Sequence, residues 1–199
     1  MAIRRILQVS GVLLLVALLP TAASAAESAV ADAVADKRLA RAEGMIDAFY
    51  SFEPKRLAPF LEDAGEYAKR LMYYQGWAEG GNYKIVRRAP CAVVDSPQVI
   101  ACPITVQDDP VMALGMTFKV TDTFTLTFDG LKIAKVATSS DDKPLYHQAR
   151  EWVVENMPQI MEGPCKGFFA GGATPGECAQ AMTKGYASFA ASEDFPGLD

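Results

Sequence analysis

The chain has 199 residues, of which 50% are hydrophobic and 22% are charged, and its formal net charge at pH 7 is −5. This length fits a single domain that can bury a sizeable core. The acidic balance, without any basic cluster in the sequence, makes nucleic acid and anionic lipid poor partners.

The first 25 residues have the features of a secretory signal peptide. Arg4-Arg5 precedes an apolar run over residues 9–19, and Ala23-Ser24-Ala25 supplies the small residues of a cleavage site. The apolar run is too short for a comfortable membrane span. We therefore expect general secretory export, cleavage after Ala25, a periplasmic or secreted protein without a stable membrane anchor, and a single domain over residues 26–199.

Three helices are predicted before the first strand. Residues 29–50 carry apolar side chains at helical spacing with charges opposite. A short second helix lies between Pro54 and Pro59, and a third begins near Asp63 and ends at Gly80-Gly81. The residues expected to form the apolar faces of these helices are Leu39, Ala42, Met45, Ile46, Phe49, Tyr50, Leu57, Phe60, Leu61, Tyr67, Leu71, Tyr74 and Ala78.

Short strands are predicted over residues 83–88, 91–94 and 99–107, followed by a turn at Asp108-Asp109-Pro110. Pro103 falls within the third of these strands. Because proline cannot donate a backbone hydrogen bond, we expect it at a sheet edge or a bulge.

The four cysteines fit an oxidising compartment. Cys91 and Cys102 are equidistant from a turn at residues 95–98, so pairing of the flanking strands would place them opposite each other, within disulfide reach. Cys165 and Cys178 are left for a second disulfide. The sequence holds neither a Cys-x-x-Cys pattern nor a Cys and His cluster, which disfavours a metal site or a redox pair. We expect no metal and no cofactor.

A long hairpin is the strongest pattern in the chain. From Met116 to Phe128 the even positions are apolar, apart from Asp122, and the odd positions are threonine or lysine. Asp129-Gly130 is the preferred pair for a type I′ turn, and it predicts a second strand to Val136. Without a bulge Phe124 would face Lys135, a poor pair, so we expect a bulge that brings Val136 opposite Phe124.

Asp122 is in phase with the apolar face of this hairpin. A carboxylate removed from water costs several kcal/mol unless it is paired, hydrogen-bonded or protonated. One interpretation is structural: a bulge turns Asp122 outward, or it pairs diagonally with Lys135. The other places the carboxylate at a pocket wall, as a candidate general acid/base or ligand acceptor. The sequence leaves both open.

The C-terminal part is predicted to be helical. Residues 139–142 offer caps for a helix over residues 143–156, and Thr174-Pro175-Gly176-Glu177 is a capping box for the last helix. The apolar face expected on the last helix consists of Cys178, Met182, Tyr186 and Phe189. His147 is expected to form an exposed pair with Glu151.

Four aromatic residues are candidates for ligand binding: Tyr73, Tyr74, Trp77 and Tyr83. Their rings could line the lip of a pocket and present a polar tip to an apolar ligand. The structural alternative is that they only pack between helices.

The order of these elements predicts an α+β fold, with three N-terminal helices on a curved, mainly antiparallel sheet and additional C-terminal helices. This order resembles the nuclear transport factor 2-like (SnoaL-like) superfamily. The resemblance is carried by Phe49-Tyr50, Leu57, Phe60-Leu61, the strand over residues 120–124 and the turn and strand over residues 129–133.

The resemblance covers roughly residues 33–137, and the disulfide-stapled helical tail over residues 138–199 departs from the plain fold. It implies a cone-shaped, cystatin-like sheet with a pocket between sheet and helices. Members include isomerases, cyclases, hydrolases and dehydratases, and also binding and assembly modules, so fold alone does not define function. The ketosteroid isomerase type would imply Asp122 as base and Tyr73, Tyr74 or Tyr83 as donor.

Without a catalytic motif, the sequence favours an exported module that binds a small apolar molecule or a protein. The alternative is a periplasmic isomerase or hydrolase that uses Asp122 as general acid/base in an apolar pocket. A third hypothesis is a homodimer formed through the threonine-lined face of the sheet.

Overall fold

A computed structural model describes residues 22–168 and 172–198. The predicted signal peptide lies for the most part outside the described residues and stays a prediction. Residues from Val34 onward form one compact unit, separate from the unit that ends at Ala33. In the described chain, every helix is too short or too polar to cross a membrane.

The fold is α+β, as predicted. The described helices are α1 (Ala22–Phe49), α2 (Pro54–Leu57), α3 (Glu66–Gly80), α4 (Asp109–Ala113), α5 (Pro144–Asn156), α6 (Pro158–Glu162) and α7 (Pro175–Ala190), with a 3-10 turn at Ala58–Phe60. The strands are β1 (Lys84–Arg88), β2 (Ala92–Val94), β3 (Ser96–Gln107), β4 (Val120–Asp129) and β5 (Lys132–Ser140).

The sheet is antiparallel, in the order β1-β3-β4-β5, and β2 pairs with the other half of β3. Pro103 lies between the two halves, where β3 changes partner from β1 to β2. Its carbonyl accepts a hydrogen bond from Ala89 N at 3.3 Å. Since N–H and C=O of one strand residue face the same side, the proline nitrogen also faces this interruption. Pro103 therefore occupies a local edge within the longest strand.

The long hairpin is present, but its turn is shifted by one residue. Asp129 pairs with Lys132, so Gly130 and Leu131 form the turn, and Gly130 has φ +58°. Asp129 does not have a positive φ, so the predicted type I′ turn at Asp129-Gly130 is wrong. A register shift between Thr127 and Phe128 follows, and it places Val136 opposite Leu126. A bulge in the second strand is thus present, but the predicted register is wrong, because Phe124 pairs with Thr138 and not with Val136.

The starts of three helices differ from prediction, two in their boundary or cap residues and one only in its capping hydrogen bonds. Asp108 accepts a hydrogen bond from Val111 N at 2.9 Å and starts α4, where a turn was expected. Residues 139–140 extend β5 instead of capping α5, whose start has no side-chain cap. The predicted capping box of α7 is also absent, because the Thr174 hydroxyl donates to Pro164 O at 2.7 Å.

Both predicted disulfides are present. Cys91, just before β2, is bonded to Cys102 in β3, and Cys165, between α6 and α7, is bonded to Cys178 in α7. They join residues that are only 11 and 13 positions apart. The predicted apolar face of α7 is buried in full.

Helix α1 is attached to the sheet by charged side chains. Arg88 of β1 forms ion pairs with Glu43 and Asp47 of α1, and Glu43 accepts from Cys91 N at 2.6 Å. Arg38 donates to Gly130 O in the hairpin turn at 2.7 Å and to Pro97 O at the start of β3 at 2.9 Å. Gln75 of α3 donates to two carbonyl groups at the end of α1.

Helices α3 and α7 approach each other through glycine. A Cβ atom built on Gly80 would lie 2.3 Å from the oxygen and 2.4 Å from the Cα of Gly176. No side chain fits at this separation, so the backbone contact requires glycine at position 80.

We predict that Gly80→Ala lowers the free energy of unfolding by about 1–3 kcal/mol, because α7 must move away from α3. Urea denaturation followed by circular dichroism measures this. Gly176→Ala is the matched control, since its Cβ would meet its nearest neighbour at 3.4 Å, an ordinary contact. Equal losses in the two variants would contradict this account of the helix contact.

Candidate functional site

Asp122 points into the core because the alternation of β4 is unbroken around it. Residues of β4 are buried at every even position, and Asp122 is 1% exposed. It pairs with Ile104 on one side and with Ser140 on the other, without a register shift at this point. The outward bulge is therefore absent. Lys135 pairs with Thr127, so the diagonal pair with Asp122 is absent as well.

The carboxyl group of Asp122 has one regular hydrogen bond. Its Oδ1 accepts from the Ser140 hydroxyl at 2.6 Å, whereas Oδ2 is buried without a partner of regular geometry. The hydroxyl groups of Tyr50 and Tyr74 both lie near enough for their pKa to be affected by the carboxyl group. The Tyr50 hydroxyl is also buried and lacks a regular partner.

Burial raises the pKa of Asp122 above its ordinary value. The hydrogen-bonding contacts with Ser140 and Tyr74 act in the opposite direction, and the charges of Asp142 and Asp141 act with burial. Burial likewise raises the pKa of Tyr50 and of Tyr74, and the neighbouring Asp122 charge adds to the effect. Asp122 is thus a buried carboxyl group of raised pKa next to two phenols, whose own pKa values are raised as well.

Aromatic rings surround this group. Phe49 of α1 contacts Tyr50, Tyr74 and Phe124 at ring-centroid distances of 4.9, 5.2 and 4.9 Å. Tyr74 stacks on Phe124 at 6.1 Å and meets Tyr83 edge-on at 6.3 Å. Rings from α1, α3 and β4 therefore form an apolar setting for Asp122, with hydroxyl tips directed to it.

Asp108 is a second buried carboxyl group in the same interior. It is 2% exposed, its Oδ1 caps α4 and its Oδ2 has no regular partner. Burial raises the pKa of Asp108 from 3.8 to about 7, against the hydrogen bond from Val111, and the Asp122 charge contributes in the same direction as burial.

Three further tyrosines extend the polar interior from Asp108. The pKa of Tyr83 is raised by burial and then by the charges of Asp108 and Asp122, while a hydrogen-bonding contact with Trp77 opposes the rise. Burial also raises the pKa of Tyr146 and of Tyr186, whose rings meet edge-on at 5.3 Å. We call Tyr50, Tyr74, Tyr83, Asp108, Asp122 and Tyr146 the carboxyl cluster.

A cleft of about 580 Å³ lies beside the carboxyl cluster and is not lined by it. Its walls are the segment before β4, the first turns of α5 and residues 196–198. Apolar side chains form most of the lining, chiefly Met116, Phe118, Leu145 and Leu198.

The first turn of α5 separates the cleft from the cluster. Leu145 lines the cleft, whereas the next residue, Tyr146, is buried, and the charges of Tyr83 and Asp108 help to raise its pKa. Successive residues on a helix point in directions about 100° apart, so the two sites share this turn and no side chain. Asp122 is not among the residues that line the cleft.

The aromatic candidates fall into two pairs. Tyr74 and Tyr83 belong to the carboxyl cluster, while Tyr73 and Trp77 pack near Phe168, at centroid distances of 6.4 and 5.2 Å. None of the four lines the cleft. Their role in ligand binding stays a prediction.

Sequence reasoning did not single out Asp108, Tyr50 or Lys143. The sequence indicated a turn at Asp108, and Tyr50 was interpreted as one of several residues on the apolar face of a helix. Lys143 was predicted only as the first residue of a helix, and the structure places it in the lining of the cleft. An aspartate followed by an acidic residue and proline could have indicated the N-cap of α4 and so the inward side chain of Asp108.

His147 lies close enough to Asp142 to lower the pKa of that carboxyl group, against the effect of burial. The ion pairs found among the described residues do not include the expected pair with Glu151. All four cysteines are in disulfides, so no thiol is available as a nucleophile. Residues 22–168 and 172–198 contain no group of His, Cys, Asp or Glu side chains that could hold a metal ion.

Comparison of the chain with protein-family models, with characterised proteins and with solved structures gave no significant match. The chemistry of the two sites is therefore the basis for any functional conclusion.

We predict that stability decreases as pH rises from about 4 to about 7. The folded protein holds the Asp108 proton more tightly than the unfolded chain, so the stabilisation is complete below pH 3.8 and is lost as the pH passes about 7. The full change is on the order of 4 kcal/mol. Asp108→Asn keeps an oxygen for the cap and should flatten this decline.

Chemical denaturation of both proteins between pH 4 and pH 8 measures the difference. Asp95→Asn, at an exposed turn residue, is the matched control and should retain the wild-type profile. A decline that is unchanged in Asp108→Asn would show that another group is responsible for it.

Proposed function

We propose that this chain is a small-molecule-binding domain with a nuclear transport factor 2-like arrangement. Its ligand lies in the cleft between residues 115–118, which precede β4, and α5. The observation that carries the proposal is the cleft itself. Its volume of about 580 Å³ and its mainly apolar lining are typical of ligand sites.

Two features support the nuclear transport factor 2-like arrangement. Three helical segments precede an antiparallel sheet, and Phe49 at the end of the first helix and the next residue, Tyr50, pack against Phe124 in the long hairpin. These are residues that carried the resemblance in the sequence. The two disulfides support an oxidising compartment, in keeping with export.

We expect a neutral apolar fluorophore, N-phenyl-1-naphthylamine, to bind the purified protein with stoichiometry near one. Leu145→Ser should weaken this binding about five- to thirtyfold, because a partly buried apolar wall of the cleft is removed. Fluorescence titration measures the affinity. Leu131→Ser is the matched control, since this leucine is exposed at the hairpin turn and does not line the cleft.

Equal affinity in wild type and Leu145→Ser would place the probe elsewhere and contradict the assignment of the cleft. Native mass spectrometry of protein purified from its own host gives an independent readout, because it reports the mass of any bound ligand together with the oligomeric state.

A second candidate function is proton transfer by Asp122, as in an isomerase. The specific observation in its favour is a carboxyl group of raised pKa that faces two phenol hydroxyls within an aromatic setting. A base of this kind removes a proton beside a carbonyl group, and neutral phenols donate to the oxygen on which charge develops. Because Asp122 is buried, the reaction requires an opening between α1, α3 and β4.

For this second candidate, we expect the protein to convert β,γ-unsaturated ketones to conjugated enones, followed by ultraviolet absorbance. Asp122→Asn should lower the rate at least a hundredfold because it removes the base. Asp129→Asn, at the exposed end of β4, should leave the rate unchanged. Absence of turnover across a panel of such ketones would leave the binding domain as the better account.

A further inference from the structure

We infer that the cleft selects an amphiphilic monoanion, an apolar body that carries one carboxylate or sulfonate group, with the anionic group held at Lys143. This inference rests on the proposed function, since it names the class of ligand for the same cleft. It is carried by the distribution of charge along the cleft wall.

Lys143 is the one charged residue among the described residues that line the cleft. It lies directly before the first residue of α5, and its side chain is exposed. The remaining walls present apolar groups together with the polar side chains of Thr117 and Gln148. Among the described residues, a ligand that fills the cleft therefore meets one cation, two polar side chains and an otherwise apolar wall.

The ammonium group of Lys143 is positioned over the cleft. Its Nζ lies 4.4 Å from the centroid of the Phe118 ring, which is itself part of the lining. A cation–π contact of this kind is worth about 0.5–1 kcal/mol at an exposed site. The contact holds the charge beside the apolar wall and leaves its other directions open to a ligand.

No carboxylate of the described residues forms an ion pair with Lys143. The two acidic residues that precede it have other contacts. Asp141 accepts a hydrogen bond from Thr121 N at 2.6 Å, and Asp142 interacts with the charges of His147 and Arg150. The Lys143 charge is thus available in a chain whose formal net charge is −5.

The start of α5 adds to this positive end. The helix has no side-chain cap and begins with Pro144 and Leu145, both of which line the cleft. A helix N-terminus carries a partial positive charge, which favours an anion at the same wall. A single lysine fits one negative charge, and the acidic chain as a whole disfavours a polyanion.

Two probes with the same aromatic body test the inference. 1-Anilinonaphthalene-8-sulfonate carries a sulfonate, and N-phenyl-1-naphthylamine lacks it. We expect the wild-type protein to bind the anionic probe about tenfold more tightly than the neutral one at low salt. This preference should decrease as salt is raised, because the Lys143 charge is exposed and screened.

Lys143→Met keeps the apolar stem and removes the charge. It should weaken binding of the anionic probe about tenfold and change that of the neutral probe by less than twofold. Lys69→Met, at an exposed lysine of α3 away from the cleft, is the matched control and should bind both probes as the wild type does. Near-ultraviolet circular dichroism verifies that the variants are folded.

The outcomes separate the inference from the proposed function. If both probes bind equally, and Lys143→Met changes neither, the ligand is neutral and the inference is overturned while the binding domain stands. If neither probe binds, the proposed function fails as well. Displacement of the neutral probe by decanoate at a concentration where decanol has no effect would be the expected result with ligands of natural type, and the reverse order would contradict it.

Discussion

The burial of two carboxyl groups in one interior is the constraint on which the rest of this structure depends. Asp108 and Asp122 are almost free of solvent contact. The charge of Asp122 raises the pKa of Asp108, and both charges raise the pKa of Tyr83. A charged carboxylate in such a place is costly unless it is hydrogen-bonded or protonated. Each of the two carboxyl groups accepts one hydrogen bond, and tyrosines rather than aliphatic residues lie near them. This part of the core is therefore packed with aromatic rings, and it also contains carboxyl and hydroxyl groups.

The first turn of α5 gives the molecule two chemically independent regions. On one side it presents Leu145 to an open, apolar cleft with a single cation. On the other side Tyr146 closes the carboxyl cluster. The proposed ligand binding in the first region does not involve the acidic groups of the second, so we expect substitutions to alter ligand affinity and the pKa of the buried carboxyl groups separately. This separation is why the cleft, and not Asp122, is the basis of the proposed function.

The fold could be predicted where the signal is local. Alternation along β4 placed Asp122 on the inner face, and the symmetric spacing of Cys91 and Cys102 around a turn gave their disulfide. The surroundings of Asp122 could not be predicted in this way, because its partners come from a distant helix and from the far end of β5. The cleft is formed by segments far apart in sequence, including residues 196–198, and such packing leaves no periodic pattern. Residues 139–142 were misread as caps because a longer β5 competes for the same backbone.

The short spacing of the disulfides has a consequence for the order of events during oxidation. Each native bond joins cysteines 11 or 13 positions apart, whereas the nearest wrong pairing, Cys102 with Cys165, would close a loop roughly five times longer. Loop closure alone favours the correct partner by about 1.4 kcal/mol, or roughly tenfold. The correct pairs can therefore form from neighbouring thiols while the rest of the chain is still unfolded, with little need for an isomerase to reshuffle them.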